Sequence, residues 1–267
     1  MTLGGLVVIS DRQLTGENAL VEALVAAAEG GAAAVQLREP DLPARRQYEL
    51  ACELRARLPA GVLLFVNERV DIALAVGADG VQLPAHGLPV DAVRRIAPSL
   101  LVGRSIHAVG EIDEADFFVV GTIFPSRSHP GRAGSGLALI HAIRAATAKP
   151  IIAIGGITAE RAATVRAAGA DGVAVISAVL GAADRRTAAA QIVRAFGGTG
   201  MIRVQLNGQP REIPAGMTVA ALLESLKVDP RIVAVELSGE IVDRNCFDTT
   251  VIADGATIEV VRMIGGG

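Results

Sequence analysis

Short β-branched apolar runs alternate with alanine-rich amphipathic stretches through the first two hundred residues, and this rhythm restricts the fold more than any other feature. Strands are expected at Leu6–Ser10, Ala34–Glu39, Leu63–Glu68, Gly80–Pro84, Leu101–Ile106, Phe117–Phe124, Pro150–Gly156 and Gly172–Ala178. Amphipathic segments lie between most of them: Gly16–Gly30, Leu42–Leu58, Val90–Ile96, Leu137–Thr147 and Ala159–Ala168. A strand that is apolar on both faces needs cover on both, and alternating helices supply it to a parallel sheet. About eight such units in roughly 195 residues fit an α/β fold of the compact (β/α)8 TIM-barrel kind. An open doubly wound sheet competes, but no GxGxxG follows the first strand. Ala73–Val81 is echoed at Val165–Val173, and more faintly at Gly30–Val35. Each copy is a helix end, a glycine stop and a strand entry, so the echo marks repeated units rather than chemistry.

From Met201 the pattern changes. Period-2 strands appear at Ile202–Gly208 and Arg211–Pro214, with Asn207-Gly208 as a hairpin turn between them. Thr218–Leu226 reads as a helix capped by Thr218, and strands follow near Val233–Leu237 and Thr257–Ile264. The division expected is a barrel over residues 1–196, a flexible linker at 197–200 and a small α+β β-grasp domain over 201–267. The final strand runs into Gly265-Gly266-Gly267. Without side chains, such a tail threads a narrow channel and delivers the Gly267 carboxylate into another enzyme's active site.

Composition excludes several classes. The 267 residues are 51% hydrophobic with a formal charge of −3, so no basic excess points to nucleic acid or an anionic membrane. Aromatic residues make up 3% and Trp is absent, which argues against base-stacking platforms. Every apolar run breaks well before the ~18 residues of a membrane span. The N-terminus lacks the basic-then-apolar order of a signal peptide. Cys52 and Cys246 show no metal-ligand or CxxC spacing, in keeping with a reduced cytoplasmic setting.

In a (β/α)8 barrel, chemistry collects at the C-terminal strand ends. The residues there are Ser10, Asp11 and Arg12; Gln36, Arg38 and Glu39; Asn67 and Glu68; Gln82 and His86; Arg104, Ser105 and His107; and Thr122. After Thr122 comes the long segment Pro125–Gly136, whose Ser126, Arg127, Ser128, His129 and Arg132 read as a lid over an anionic substrate. Gly155-Gly156 before one helix, and Ile176-Ser177 before the next, place backbone N–H groups as a phosphate cup. His107 and His129 are placed to move a proton near neutral pH, whereas His141 lies within a helix.

These residues resemble a known family. Gln36-Leu-Arg-Glu39, Asn67–Ala75, Gly121–Ser126, Ala153–Ile157 and Gly172–Ser177, in that order, resemble the thiamine-phosphate synthase/TenI superfamily of (β/α)8 barrels. The resemblance implies one of two activities. One is condensation of hydroxymethylpyrimidine pyrophosphate with thiazole phosphate, a transferase reaction that uses Mg²⁺. The other is tautomerisation of a carboxythiazole phosphate to its aromatic form, an isomerase reaction with no metal or other cofactor. The synthase pattern holds Mg²⁺ with two Asp residues, where this chain has Glu68 and a carboxylate-free Gln82–Gly87. Pro40 and His129 stand where that pattern has Lys. These departures favour the tautomerase, with the synthase or a non-catalytic scaffold as alternatives. Thr122 replaces the tautomerase His, so the proton-transfer role is expected at His129 or His107, with Glu39 as the other acid–base group. Gln36, Arg38, Asn67, Thr122, Ser126, Arg127, Ser128, Gly155, Gly156, Ile176 and Ser177 are the expected ligand contacts.

Residues 201–267, through Met201–Gly208, Val235–Gly239 and the terminal glycines, resemble the ThiS sulfur carrier, a ubiquitin-like β-grasp protein. By that resemblance a partner enzyme adenylates Gly267 with ATP and converts it to a thiocarboxylate, which donates sulfur to thiazole synthase. The fusion then joins a sulfur donor for thiazole formation to an enzyme acting on the thiazole phosphate.

Overall fold

The computed structural model describes residues 3–125, 134–197, 201–214, 217–247, 250, 252 and 255–262. The chain divides into two compact units, Met1–Phe196 and Gly197–Gly267.

The first unit is a closed barrel of parallel strands: β1 (Gly5–Ile9), β2 (Ala34–Leu37), β3 (Leu63–Asn67), β4 (Gly80–Leu83), β5 (Leu101–Ile106), β6 (Phe117–Gly121), β7 (Ile151–Ile154) and β8 (Gly172–Val175). Each pairs with its sequence neighbour, and β8 closes on β1 with Gly5 opposite Gly172. The helices in chain order are α1 (Arg12–Thr15), α2 (Leu20–Glu29), α3 (Ala44–Arg57), α4 (Val70–Ala75), α5 (Val90–Ile96), α6 (Leu137–Ala146), α7 (Ala159–Ala167), α8 (Ser177–Leu180) and α9 (Arg185–Gly197). The rhythm is broken once: β5 reaches β6 through a 3-10 turn at Val109–Glu111 instead of an α-helix. The last helix runs through Gly197, the first residue of the expected linker.

Helix packing follows the sequence period. In α3 the buried residues are Gln47, Leu50, Ala51 and Leu54, spaced along one face. Burial of Leu54 contributes about 1.5–3 kcal/mol by area. Pro43 precedes the helix, and Leu58 leaves it in an extended conformation before Pro59. Strands carry two apolar layers. One faces the helices and includes Leu6, Val8, Val35, Leu64 and Val66; the other fills the barrel interior with Val7, Ile9, Phe65, Phe117, Val119, Ile152 and Ala174.

The sequence echo has a structural cause. Asp79 Oδ2 accepts from Leu64 N at 2.7 Å and from Arg55 at 2.8 Å. Asp171 Oδ2 accepts from Ile151 N and from Arg144, both at 2.8 Å. Asp116 Oδ2 does the same with Val102 N at 2.7 Å and Arg94 at 2.6 Å. Each carboxylate ties the entry of its strand to the preceding strand and to an Arg of the helix that leads into that preceding strand. In the faintest copy Ala33 stands in this place and keeps only a backbone bond, its N–H to Leu6 O at 2.8 Å.

The second unit is a mixed sheet in the order β10-β9-β13-β11-β12, with one α-helix, α10, among the described residues. Its strands are β9 (Met201–Leu206), β10 (Gln209–Pro214), β11 (Val233–Leu237), β12 (Glu240–Ile241) and β13 (Thr257–Arg262), and α10 spans Val219–Ser225. The hairpin β9–β10 turns at Asn207-Gly208, and β13 lies parallel to β9 between the two antiparallel pairs. Thr218 Oγ1 caps α10 by accepting from Ala221 N at 3.2 Å. Val219, Leu222 and Leu223 then pack on Val204, Leu206, Ile213, Val235 and Ile258. This is the expected β-grasp, with the two-residue β12 as an addition too short to announce itself in sequence. No helix among the described residues is long and apolar enough to cross a membrane.

Candidate active site

The barrel interior changes from apolar to polar along the strand direction. Phe65 and Phe117 meet edge to face, with centroids 5.2 Å apart. Gly80 and Gly103 make room for them, since a Cβ at either would lie within 2.5 Å of a ring atom. Two residues further on, the strands present Asn67 and Val119, and neighbouring strands present Gln36, Gln82 and Ser105 at the C-terminal mouth. Gln36 Nε2 donates to Asn67 Oδ1 at 3.0 Å, and Asn67 Nδ2 donates to Glu68 Oε2 at 3.1 Å. Gln82 Nε2 donates to Ser105 Oγ at 3.1 Å. Glu68 adopts φ +59°, an uncommon conformation for a residue with a side chain, at the point where β3 opens into the cavity.

A cavity of about 900 Å³ lies above this polar layer. Its floor is Ile9, Val119, Ile154 and Ala174; its wall includes Gln36, Arg38, Asn67, Glu68, Gln82, Ser105, His107 and Thr122 on one side. Gly155, Gly156, Ile157, Thr158, Arg161, Ile176 and Ser177 complete it. At Gly155 φ is +104°, and a Cβ there would lie 2.4 Å from Thr122 Cγ2. At Gly156 φ is +59°, and a Cβ would lie 2.4 Å from Pro125 O. Both positions demand glycine on two counts. The N–H groups of Gly156, Ile157, Ser177 and Ala178 have no acceptor among the described residues. All four residues line the cavity after the ends of β7 and β8, the place where backbone N–H groups can receive an anion.

Most expected contact residues meet here: Gln36, Arg38, Asn67, Thr122, Gly155, Gly156, Ile176 and Ser177 all line the one cavity, and so does His107. The Nδ1 of His107 donates to the Gly121 carbonyl. A carbonyl only accepts, so the hydrogen of this bond sits on Nδ1. Ser126, Arg127, Ser128 and His129 lie outside the described residues, as does Gly267. The flanking Pro125 and Ser135 line the cavity.

Glu39 requires a correction. It is buried (5% exposed) but is not among the residues lining the cavity. Alternation turns it away from Arg38, toward the β1–α1 connection, where its carboxylate accepts from Arg12 N at 3.2 Å. Burial raises its carboxyl above the ordinary 4.5, against the lowering by hydrogen bonds from Ser10 and Arg12. Ser10 Oγ also accepts from Arg38 N at 2.7 Å. Glu39 therefore holds the ring of backbone beneath Arg38 and does not meet the cavity contents. Arg104 likewise faces outward, bound to Asp113, Pro84 O and Leu88 O at 2.8–3.1 Å, and anchors the β4–α5 connection.

Two cations face the cavity, Arg38 and Arg161, with Glu68 as the carboxylate among the described lining residues. The Arg38 guanidinium has no protein partner among the described residues. Arg161 stands in a helix beyond the strand ends and is not among the expected contacts. The available signal was its place in the first turn of the helix that follows Gly155-Gly156.

The fold and site define a TIM barrel with a polar-walled cavity at the C-terminal strand ends. Residues 6–179 match the model of the thiamine monophosphate synthase family, and residues 204–267 match that of the ThiS family. The chain belongs to the thiamine monophosphate synthase family and carries a ThiS domain, so both parts fall within thiamine biosynthesis. It is 40% identical over 193 residues to the thiamine-phosphate synthase of Pyrococcus furiosus, covering 70% of this chain and 92% of the relative. With the thiamine-phosphate synthase of Moorella thermoacetica it shares 45% over 196 residues, covering 70% and 93%. The solved thiamine phosphate pyrophosphorylase from P. furiosus superposes with a TM-score of 0.66 at 39% identity, over 72% of this chain and 95% of that one.

Proposed function

We propose that the barrel is a thiamine-phosphate synthase and that the ThiS domain carries sulfur on Gly267. The observation that supports this reading most is that relatives 40% and 45% identical, matched over 92% and 93% of their length, bear that name. This displaces the isomerase expectation from first place. The cavity also suits two anionic substrates, with the amide cup at one part and Arg38 among polar groups at another.

In the reaction, the thiazole ring nitrogen attacks the pyrimidine methylene carbon. The carbon–oxygen bond to pyrophosphate breaks, and the leaving group takes the electron pair. Amides of Gly156, Ser177 and Ala178 hold the thiazole phosphate, and Thr122 packs beside Gly155. Arg38, Asn67 and Ser105 neutralise or hydrogen-bond the departing pyrophosphate, where charge develops. A pyrophosphate-bound Mg²⁺ keeps several waters and needs one or two protein carboxylates. Glu68, held by Asn67, supplies one, so the donor set fits such an ion at the lower limit. When bound, the ion would neutralise the leaving pyrophosphate.

A second reading, the tautomerase, draws support from His107, an imidazole on the cavity wall, and from the missing second carboxylate. Incubation with hydroxymethylpyrimidine pyrophosphate, thiazole phosphate and Mg²⁺ separates the two. Thiamine phosphate and stoichiometric pyrophosphate are expected. Their absence, together with metal-free acceleration of carboxythiazole phosphate aromatisation, would transfer the assignment to the second reading.

Residues 201–267 form the carrier in this scheme, tethered by 197–200 to the enzyme of residues 1–196 in a cytoplasmic pathway. A partner joins the Gly267 carboxylate to the AMP part of ATP as an acyl adenylate, releasing pyrophosphate; sulfide-level sulfur from a donor then displaces AMP to leave the thiocarboxylate, and thiazole synthase takes the sulfur. Mass spectrometry after incubation with such a partner should show one sulfur replacing one oxygen on the C-terminal peptide. An unchanged mass with an active partner would defeat this part.

A further inference from the structure

We propose that Arg161 is the residue that selects phosphorylated over unphosphorylated thiazole, by completing the anion cup with a guanidinium. The inference rests on the assignment of thiazole phosphate to that cup.

Helical side chains lean toward the N-terminus, so a residue in the first turn of α7 reaches back over the Gly155-Gly156 corner. Arg161 Nη1 donates to Gly156 O at 2.6 Å. Its guanidinium carbon lies 4.7 Å from the centroid of the Phe124 ring. Both partners are neutral, so the positive charge is not spent on them. The neighbouring Glu160 carboxylate is held chiefly by the Thr158 side chain, and the Arg161 charge adds a smaller electrostatic pull without a hydrogen bond. An arginine offers five N–H donors in one plane, and a single one is used here among the described residues.

Two consequences follow for an anion. Pinning Gly156 O sets the plane of the peptide to Ile157, and hence the direction of an amide that lacks an acceptor. The stacked guanidinium also keeps a fixed plane, so little rotamer entropy remains to be lost when the spare donors engage phosphate oxygens. Arg38 belongs to the β2 side of the cavity and Arg161 to the glycine corner, so the two cations serve different ligand ends.

Calorimetry on the full-length chain tests this with three ligands: hydroxyethylthiazole phosphate, unphosphorylated hydroxyethylthiazole and inorganic phosphate. Arg161→Gln should weaken hydroxyethylthiazole phosphate and inorganic phosphate about tenfold while leaving the unphosphorylated thiazole within about twofold. Arg161→Lys, charged but without the planar fork, should fall between. An equal loss for both thiazoles would mean that the residue only shapes the cup, and would overturn the proposal. So would unchanged affinity for the two phosphate ligands. If the wild type binds inorganic phosphate with this dependence on Arg161 but no thiazole phosphate, the proposed function fails while the guanidinium's part in anion recognition stands.

Discussion

Gly156→Ala probes the anion cup with a cost that can be worked out from geometry. The position has φ +59°, where an L-residue loses about 1–2 kcal/mol. The new Cβ would lie 2.4 Å from Pro125 O, 2.9 Å from Phe124 Cβ and 3.0 Å from Phe124 O. Two of these are backbone atoms that cannot swing aside, so overpacking adds about 1–3 kcal/mol. Reduced freedom in the unfolded chain returns about 0.4–1 kcal/mol. The net loss is about 1–4.6 kcal/mol, or roughly 2–18 °C in Tm for a domain of this size. Two controls separate the contributions. Gly77 has nearly the same φ, +63°, with nothing within 4 Å of its Cβ, so Gly77→Ala should cost about 0–1.6 kcal/mol, without the overpacking contribution. Gly110 has neither strain nor a neighbour, and Gly110→Ala should stay within about 0.5 kcal/mol of wild type. The chain has one tyrosine, Tyr48 in α3, and no tryptophan, so tyrosine fluorescence follows unfolding of the barrel unit alone. Gly156→Ala should also raise the KM for thiazole phosphate. If it costs no more than Gly77→Ala, the steric reasoning is wrong.

Asp171→Ala should destabilise the barrel by about 2–4 kcal/mol, because it orphans the buried Ile151 N–H and removes a charge partner of Arg144; Asp171→Asn, which keeps an acceptor, should cost about half, and equal costs in urea denaturation would refute the clamp. Glu39 has its folded carboxyl pKa above the ordinary 4.5, so the unfolded chain loses this proton first as pH rises. Stability present below about pH 4.5 is therefore lost as pH rises through the folded pKa, and Glu39→Gln should gain on wild type across that window. A difference between the two midpoints that does not change with pH would count against it. Glu68→Gln should raise the Mg²⁺ needed for half-maximal pyrophosphate release about tenfold; an unchanged requirement would remove Glu68 from the metal reading.

Much of the architecture is a local property and is therefore legible in the chain itself. All eight barrel strands lie where apolar β-branched runs stand between helical patterns, with ends differing by up to three residues. The Asn207-Gly208 hairpin and the Thr218 cap follow from turn and capping chemistry within a few residues. Local pattern also places Gln36, Asn67 and Gly155-Gly156 at strand ends, which is enough to name them as site residues once a barrel is assumed. What the pattern leaves open is facing. In a strand buried on both sides, apolar residues alternate with apolar residues, so nothing in Leu101–Ile106 tells whether Arg104 or Ser105 turns inward. Barrel closure decided that Ser105 lines the cavity and Arg104 anchors a loop, and it sent Arg38 inward while Glu39 turned away. The same closure brought Arg161, distant in sequence from every other cation of the site, to the cavity wall. The aspartates of the echo become clamps only when each strand entry meets the preceding strand and the helix that leads into it. Local composition sets which segments form strands and helices; only the closed barrel, through its register and the alternation it imposes, decides which side chains share a cavity.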